Sequence, residues 1–319
     1  MLAHLRDRWF LLALVALLIV GMGWPSAMRP ITAWLNGDWV VAAVTFIMAI
    51  TLETSAIWGS VRRPGAAWLG AAMNAGVCPP LGWLVSRVLP PELALGVIVA
   101  TTVPSTLATA AVWTRRAGGN DAVAFLVTMI TNLGCFLVVP GWLWLLSGRR
   151  AEVDYQAIVL GLVVLIVVPI VVAQLLRQWR PLGIGATRHK KSLSWLAQLG
   201  VLTMVLIGAV SCGERLAAMD DNSLLTTTNV VLLIAAVAAV HVTVLLIGLQ
   251  ASRALQLPRA DAIAVAFAGS QKTLMVGAYV ALAVGPLAIL PMVAYHAVQL
   301  FVDTLLADRW AQKSNQQNG

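Results

Sequence analysis

The chain has 319 residues, 60% of them hydrophobic and 11% charged, with 13 tryptophans and a formal net charge of +8. Soluble domains carry roughly 25% charge, so this composition belongs to an integral membrane protein in a lipid bilayer. The positive balance does not point to nucleic acid, because the basic residues sit in short connections between apolar runs, with no basic stripe and no aromatic platform.

Taken in chain order, apolar runs near the roughly 20 residues needed to cross a bilayer predict ten spans. They cover 9–23, 39–59, 66–88, 92–114, 122–146, 156–176, 195–213, 228–249, 260–284 and 286–307. The first follows a short basic start and resembles a signal peptide, but no clear small-x-small cleavage site follows, and it reads as a retained span. The last two are separated only by Gly285-Pro286, a predicted tight turn. With the N-terminus inside, the inner segments carry fifteen Lys and Arg. The outer ones carry five (Arg29, Arg87, Arg149, Arg150 and Arg215), which leaves Lys272 over. This bias predicts a cell (inner) membrane protein with both termini in the cytoplasm and an even number of spans.

The break at 148–156 divides the spans five and five, and the stretch 177–194 reads as the longest polar connection. Two halves with an odd number of spans must run in opposite orientations, which is the arithmetic of an inverted repeat. The expected organisation is a first five-helix repeat at 1–147, an inverted second one at 148–310 and a cytoplasmic tail at 311–319. Each half carries an interruption in its fourth span: T-T-V-P-S-T at 101–106, and G-S-Q-K-T at 269–273. Discontinuous helices in corresponding positions are where such carriers bind their solutes.

Lys272 is the feature that most needs a reason. An ammonium inside an apolar span is costly without a partner or a water-filled cavity, so it is a functional candidate, and Gly269 and Ser270 beside it are poor helix-interior residues. Its alternative is to snorkel to an interface, and that of Pro104 is an ordinary kink. Thr101, Thr102, Ser105 and Thr106 offer hydroxyls to a solute, to carbonyls freed by the proline, or to both. His296, Gln299 and Asp303 share a helical face and either line the pathway, partner Lys272 or make an interhelical contact. Glu53 reads as a solvated or loop-paired acid, His241 as a hydrogen-bonded packing residue, and Trp142 and Trp144 as interface anchors. Cys78, Cys135, Cys212 and the dispersed histidines suit core packing rather than a disulfide framework or metal site.

The chain offers no Gly-x-Ser-x-Gly, no His-Glu-x-x-His and no paired acids on one span, which weighs against an intramembrane enzyme. A channel would want rings of like residues. A secondary transporter fits better, with half-helix N-termini and Lys272 attracting the carboxylate or sulfate of a small organic anion.

At L-P-P-E-L-A-L-G-V-I (89–98), Pro104, A-G-G-N-D-A-V-A (117–124), and G-S-Q-K-T followed by P-M-V-A-Y-H-A-V-Q-L (291–300), the chain resembles the bile acid:sodium symporter family. It is closest there to the sodium–bile-acid-symporter-like bacterial branch, over approximately 40–145 and 255–310. The resemblance implies an all-α fold with a core domain in which two unwound helices, the fourth and ninth, cross at the centre, a panel domain, and alternating access. Carried over residue by residue, the implied sodium sites are incomplete. The family's Ser-Asn pair falls on Thr109-Ala110, its fifth-span hydroxyls on Ala124 and Thr128, and its anchoring glutamate on Phe267. Gln271 matches a family glutamine, Asn74 stands where another amide would be, and Lys272 replaces a neutral asparagine. Residual sodium positions are thus Thr109, Thr128 and Gln271. The expected pathway joins Ser270, Gln271, Lys272 and Thr273 of one break to Pro104, Ser105, Thr106 and Thr109 of the other, with Asn74, Thr128, His296 and Gln299 around them.

Sodium prefers several hard oxygen ligands, and a fixed ammonium repels it while supplying its charge. The expectation is a transporter without an organic cofactor, coupled to H⁺ or to no cation at all. A sodium symporter with a remodelled site, or an intramembrane enzyme, is the alternative.

Overall fold

Inside a bilayer every backbone N–H and C=O must be satisfied within the chain, and for an apolar sequence without alternating strands this leaves helices. The computed structural model describes residues 9–52, 64–107, 109–147, 153–219 and 222–317, and every regular element among them is helical. Glu53, Arg6, Arg8, Arg62, Arg63, Arg149 and Arg150 lie outside the described residues.

In chain order the helices are α1 (Trp9–Gly23), α2 (Pro25–Ala33), α3 (Gly37–Ile50) and α4, which joins Gly65–Ala72, a π turn at Met73–Val77 and Cys78–Ser86. Next come α5 (Pro91–Thr102), α6 (Thr109–Arg116), α7 (Asp121–Leu133) and α8 (Cys135–Ser147). The remainder are α9 (Tyr155–Arg177, with a π turn at Val163–Val167), α10 (Arg180–Arg188), α11 (Lys190–Ala217), α12 (Thr227–Ala254), α13 (Arg259–Ser270), α14 (Leu274–Val284) and α15 (Ile289–Gln317).

Each of the ten predicted runs holds part or all of one or more of these helices within its described part, and 53–59 of the second run lies outside the described residues. By length and composition, five helices among the described residues can cross a membrane, or seven if the bent pairs α1–α2 (108°) and α7–α8 (65°) each count as one span. The protein is therefore a multi-pass membrane protein. Two features differ from the sequence expectation. The polar connection at 177–194 is largely helical, as α10 and the start of α11, and α1 turns sharply into α2 at Pro25, a residue pre-set for a helix's first turn.

α1, α3 and α9 pack on one another or on α11, whereas α4, α7, α12 and α15 gather around α5 and α13. The α13–α14 run is 94% buried over its most apolar window, against 33% for α9 and 44% for α11. Low hydropathy with high burial puts this broken run in the protein's centre rather than against lipid. The A-G-G-N-D segment locks it there. Gly118 adopts φ 75°, a left-handed conformation suited to glycine, and a Cβ on Gly119 would lie 2.6 Å from Ile263 of α13. Asn120 caps α7 and also donates to Asp261 (2.8 Å), while its backbone N–H bonds Ala260 (2.9 Å).

Candidate functional site

Both interruptions have causes in the local sequence. α5 and α13 are each 12 residues long, and each follows a proline in extended conformation, Pro90 (φ −53°, ψ 149°) and Pro258 (φ −53°, ψ 144°). α5 stops because Pro104 lacks an N–H and forces the preceding Val103 to be extended (ψ 156°). Thr101 and Thr102 donate back to Val97, Ile98 and Val99 carbonyls, closing the last turn. α13 has no proline at its end. Its extended residue, Gln271 (ψ 147°), follows Gly269 and Ser270, and the Ser270 hydroxyl donates to Ala266 and Phe267. Side chains then capture the unwound backbone. Gln299 accepts from Lys272 N (2.8 Å) and donates to Lys272 O (2.9 Å), in the manner of a neighbouring strand. The two breaks bond each other through Thr273 N and Pro104 O (2.9 Å).

Lys272 is fully buried, so snorkelling does not describe it. Its ammonium donates to the carbonyls of Val103 (2.9 Å), at the C-terminal end of α5, and Asn74 (2.8 Å), in the π turn of α4. The sequence explains why these oxygens are free. Pro79 and Pro80 follow the π turn and cannot donate to its carbonyls, so Asn74 O goes to Lys272 and Ala75 O to Trp142 Nε1 (2.6 Å). Trp142 is thus more than an interface anchor. The Asn74 amide donates to Gln271 O (2.8 Å) and Gly269 O (3.4 Å), binding the π turn to the second break from the other side.

A polar chain continues from Gln271. Its Oε1 accepts from Thr106 (2.7 Å) and Thr109 (3.1 Å), and its Nε2 donates to Asp303 Oδ2 (2.6 Å). Asp303 Oδ1 lies 2.9 Å from His241 Nε2, and His241 Nδ1 lies 3.2 Å from Ser270 O, which also accepts from Tyr295 (2.9 Å). On the other side, Thr128 donates to Thr106 O (3.1 Å), and Asn132 bridges Ser105 O (2.8 Å) and Thr128 O (2.9 Å). His296 meets Gln299 through Nδ1 (2.8 Å) and lies edge-on to Phe10.

A cavity of about 400 Å³ ends on this cluster. Thr106, Thr109, Thr273 and His296 form its polar end, while Phe10, Ile47, Met48, Trp113 and Met275 make apolar walls. Arg116 and Asp308, paired at 2.6 Å, stand among its remaining lining residues. Lys272 is not among the lining residues; its ammonium lies against Asn74 O and Val103 O.

The residual sodium positions already bond one another and the backbone: Gln271 Oε1 holds two hydroxyls, and the Thr128 hydroxyl donates to two carbonyls. Phe267, where an acid would stand, packs against Trp310 (5.3 Å between rings) in an apolar cluster with Ile263 and Leu245. The carboxylate bonded to Gln271, that of Asp303, is also engaged by His241.

All twelve pathway residues proposed from the sequence are therefore brought together within two helix breaks and the elements touching them. Asp303 partners His241 and Gln271, not the Lys272 ammonium. Asp303, read with His296 and Gln299 as a pathway or interhelical residue, makes the interhelical contact, while its pairing with His241, and Asn132 and Tyr295 as site residues, were missed. A lone histidine inside α12 and an acid far along α15 were the available signals, and only a long-range pairing gives them meaning.

The sequence pattern of the SBF-like CPA transporter family matches residues 8–312. An uncharacterized Pseudomonas aeruginosa protein, PA2026, is 27% identical over 95% of this chain and 93% of its own length. The probable sodium/metabolite cotransporter BASS4 of Arabidopsis thaliana chloroplasts is 24% identical over 85% of this chain, which spans 65% of that protein. The putative symporter YfeH of Escherichia coli is 27% identical over 71% of this chain and 68% of its own length.

Proposed function

The chain belongs to the SBF-like CPA transporter family, and from that premise we propose that it is a secondary active transporter of a small organic anion, working by alternating access in the inner or plasma membrane. One observation carries the reading. The two helix breaks bond each other, the Lys272 ammonium joins Val103 of one break to the α4 π turn, and a cavity of about 400 Å³ ends on Thr106, Thr109 and Thr273.

Two inverted five-helix halves are the architecture that best accounts for α5 and α13, with their equal lengths, matching prolines and matching extended exits. Thr51, Arg116, Leu193 and Asp308 line the cavity next to the Lys- and Arg-rich connections, so in this reading, with the cytoplasmic termini that the charge bias favours, the cavity opens inward. The ligand is an anion because Thr109 and Leu274, at the N-terminal ends of α6 and α14, line the cavity, and helix N-termini present a positive dipole end, although the Ala110 N–H of α6 is already taken by the Thr106 hydroxyl (3.0 Å). Apolar walls suit an amphipathic anion.

The donor set does not fit sodium. It provides no carboxylate at Phe267, and the oxygens at the residual sodium positions Thr109, Thr128 and Gln271 are already engaged, which leaves only the neutral Ser105 hydroxyl and Asn132 amide oxygen without partners among the described residues of the site. In this reading Lys272 supplies, as a fixed charge behind the crossing, the positive charge that a bound cation would bring, and no step passes through sodium. The test is a thermal-shift screen of the purified chain against organic anions, with and without Na⁺, beside Lys272→Ala, followed by counterflow in proteoliposomes. One anion class should stabilise the parent equally with or without Na⁺, fail to stabilise the variant, and show counterflow. Transport driven by a sodium gradient and indifferent to pH would refute it.

A further inference from the structure

We infer that the buried His241–Asp303 pair is a proton-binding site, and that the proton it takes up is the coupling ion for the anion. The inference rests on the transporter reading above for its second half and on geometry alone for its first. Both residues are fully buried. His241 has an oxygen against each ring nitrogen: Ser270 O at 3.2 Å from Nδ1, and Asp303 Oδ1 at 2.9 Å from Nε2. A neutral ring has a single N–H. Beside an ionised Asp303, one of the two contacts would then set a nitrogen lone pair against an oxygen in a fully buried site. One further proton satisfies both contacts, either on an imidazolium facing a carboxylate or on a carboxylic acid donating to the neutral ring.

Charge balance says what that proton does. Taken as an ammonium, Lys272 is held by the carbonyls of Asn74 and Val103, with the Cys78 thiol of α4 beside it. With the pair empty, Asp303 balances Lys272 and the core is neutral. With the pair loaded, the core carries one positive charge, which a monoanion at the crossing cancels. Loading is a single transfer: a hydronium ion in cavity water gives its proton to the pair and leaves water. One proton per monovalent anion keeps the loaded and the empty carrier alike neutral.

The pair is connected to the cavity. Asp303 Oδ2 holds Gln271 Nε2, and Gln271 Oε1 holds Thr106 and Thr109, which line the cavity. Neutralising Asp303 loosens its hold on Gln271, the extended residue of the second break. The titratable groups around the pair come from several elements. Tyr295 of α15 lies edge-on to His241 at 5.9 Å and donates to Ser270 O, Cys78 of α4 contacts Tyr295 at 3.7 Å, and Lys272 belongs to the break itself. Asp261, at the start of α13, is bonded to Asn120 instead. His296 meets Gln299 by the cavity.

The test uses the full chain reconstituted in lipid vesicles. Infrared difference spectra recorded as the pH is raised, with ¹⁵N-histidine NMR assigned through His241→Gln, should show one proton leaving the pair in the parent. Asp303→Asn keeps an acceptor for Gln271 and a donor for His241, so it should fold, with thermal unfolding as the check, and should lose that proton. If the parent shows His241 as one neutral tautomer beside an ionised carboxylate throughout, the proposal is overturned, whatever either variant does. Coupling is read with p-toluenesulfonate, a monoanion that stays ionised, and a pH dye inside the vesicles. Entry of the probe should acidify the interior in the parent, and an inward proton gradient should accelerate it severalfold, with neither effect in Asp303→Asn. Entry without proton movement overturns the coupling. A probe that does not enter under any gradient counts against the anion reading of the preceding section, while the spectroscopic result still decides the proton site.

Discussion

Replacing Gln299 by leucine tests whether one side chain holds the second break unwound. Gln299 is fully buried, and its amide satisfies both backbone groups of Lys272, at 2.8 and 2.9 Å. Leucine has a similar volume, so the substitution removes hydrogen bonds rather than opening a void. Two buried backbone groups lose their partner, at about 1–3 kcal/mol each, or about 2–6 kcal/mol together. The third contact, to His296, is left out of this figure because His296 lines the cavity. At about 2 °C per kcal/mol for a chain of this size, the apparent Tm in detergent should fall by about 4–12 °C. Ser105→Ala is the control. That hydroxyl is buried in the other break without a hydrogen-bond partner, so its removal strands nothing and should leave the Tm unchanged or raised by up to about 6 °C. A Tm that does not fall for Gln299→Leu would refute the clamp, since it would mean that Lys272's backbone is satisfied in some other way.

Lys272→Met leaves the Val103 and Asn74 carbonyls without their donor, again about 2–6 kcal/mol, but it also removes a buried ion whose desolvation costs several kcal/mol. The variant should therefore fold with a modest Tm change and lose stabilisation by anions; retained anion stabilisation would exclude the lysine from the site's electrostatics. Gly82→Ala places a Cβ 2.2 Å from Thr101 Oγ1, a hydroxyl already tied to the α5 backbone, and should lower the Tm by the equivalent of about 1–3 kcal/mol. An unchanged Tm would mean that α4 and α5 separate freely. Phe267→Glu buries an acid among Ile263, Leu245 and Trp310, and should cut the folded yield on size-exclusion chromatography whether or not Na⁺ is present. Sodium-dependent recovery would restore the sodium reading.

Burial and hydrogen-bond partners could be anticipated only where the cause is local. Pro104 announces its break because a proline acts on its own neighbours. The positions around Lys272 were recognisable because an ammonium in an apolar run has no cheap explanation. Its actual partners were not, because a backbone carbonyl has no residue letter. Asn74 O and Ala75 O are free through Pro79 and Pro80, a local signal that becomes readable only once the π turn is known. The 177–194 stretch misled for a related reason. Its charges mark a connection, but Pro181 at the start of α10 and the helix-compatible residues after it let that connection coil. His241 and Asp303 are 62 positions apart, and nothing in either neighbourhood names the other.

A fixed internal cation changes what the rest of the core must do. A dissociable ion brings its charge with the substrate and leaves with it, so an empty carrier returns without excess charge. Lys272 cannot leave. Unless something balances it, the empty crossing would carry a buried positive charge through every return step, at a desolvation cost of several kcal/mol. The carbonyls of Val103 and Asn74 soften that cost with dipoles but do not cancel the charge. Asp303 is the buried acid that can, and it reaches the second break through Gln271, a glutamine whose other end holds the first. Under the proposed coupling, the histidine at its back would let the carboxylate be switched off when an anion takes over the balancing role. On this argument the ammonium and the acid are two parts of one device, and changing either should impair the return of the empty carrier as well as the loading of the full one.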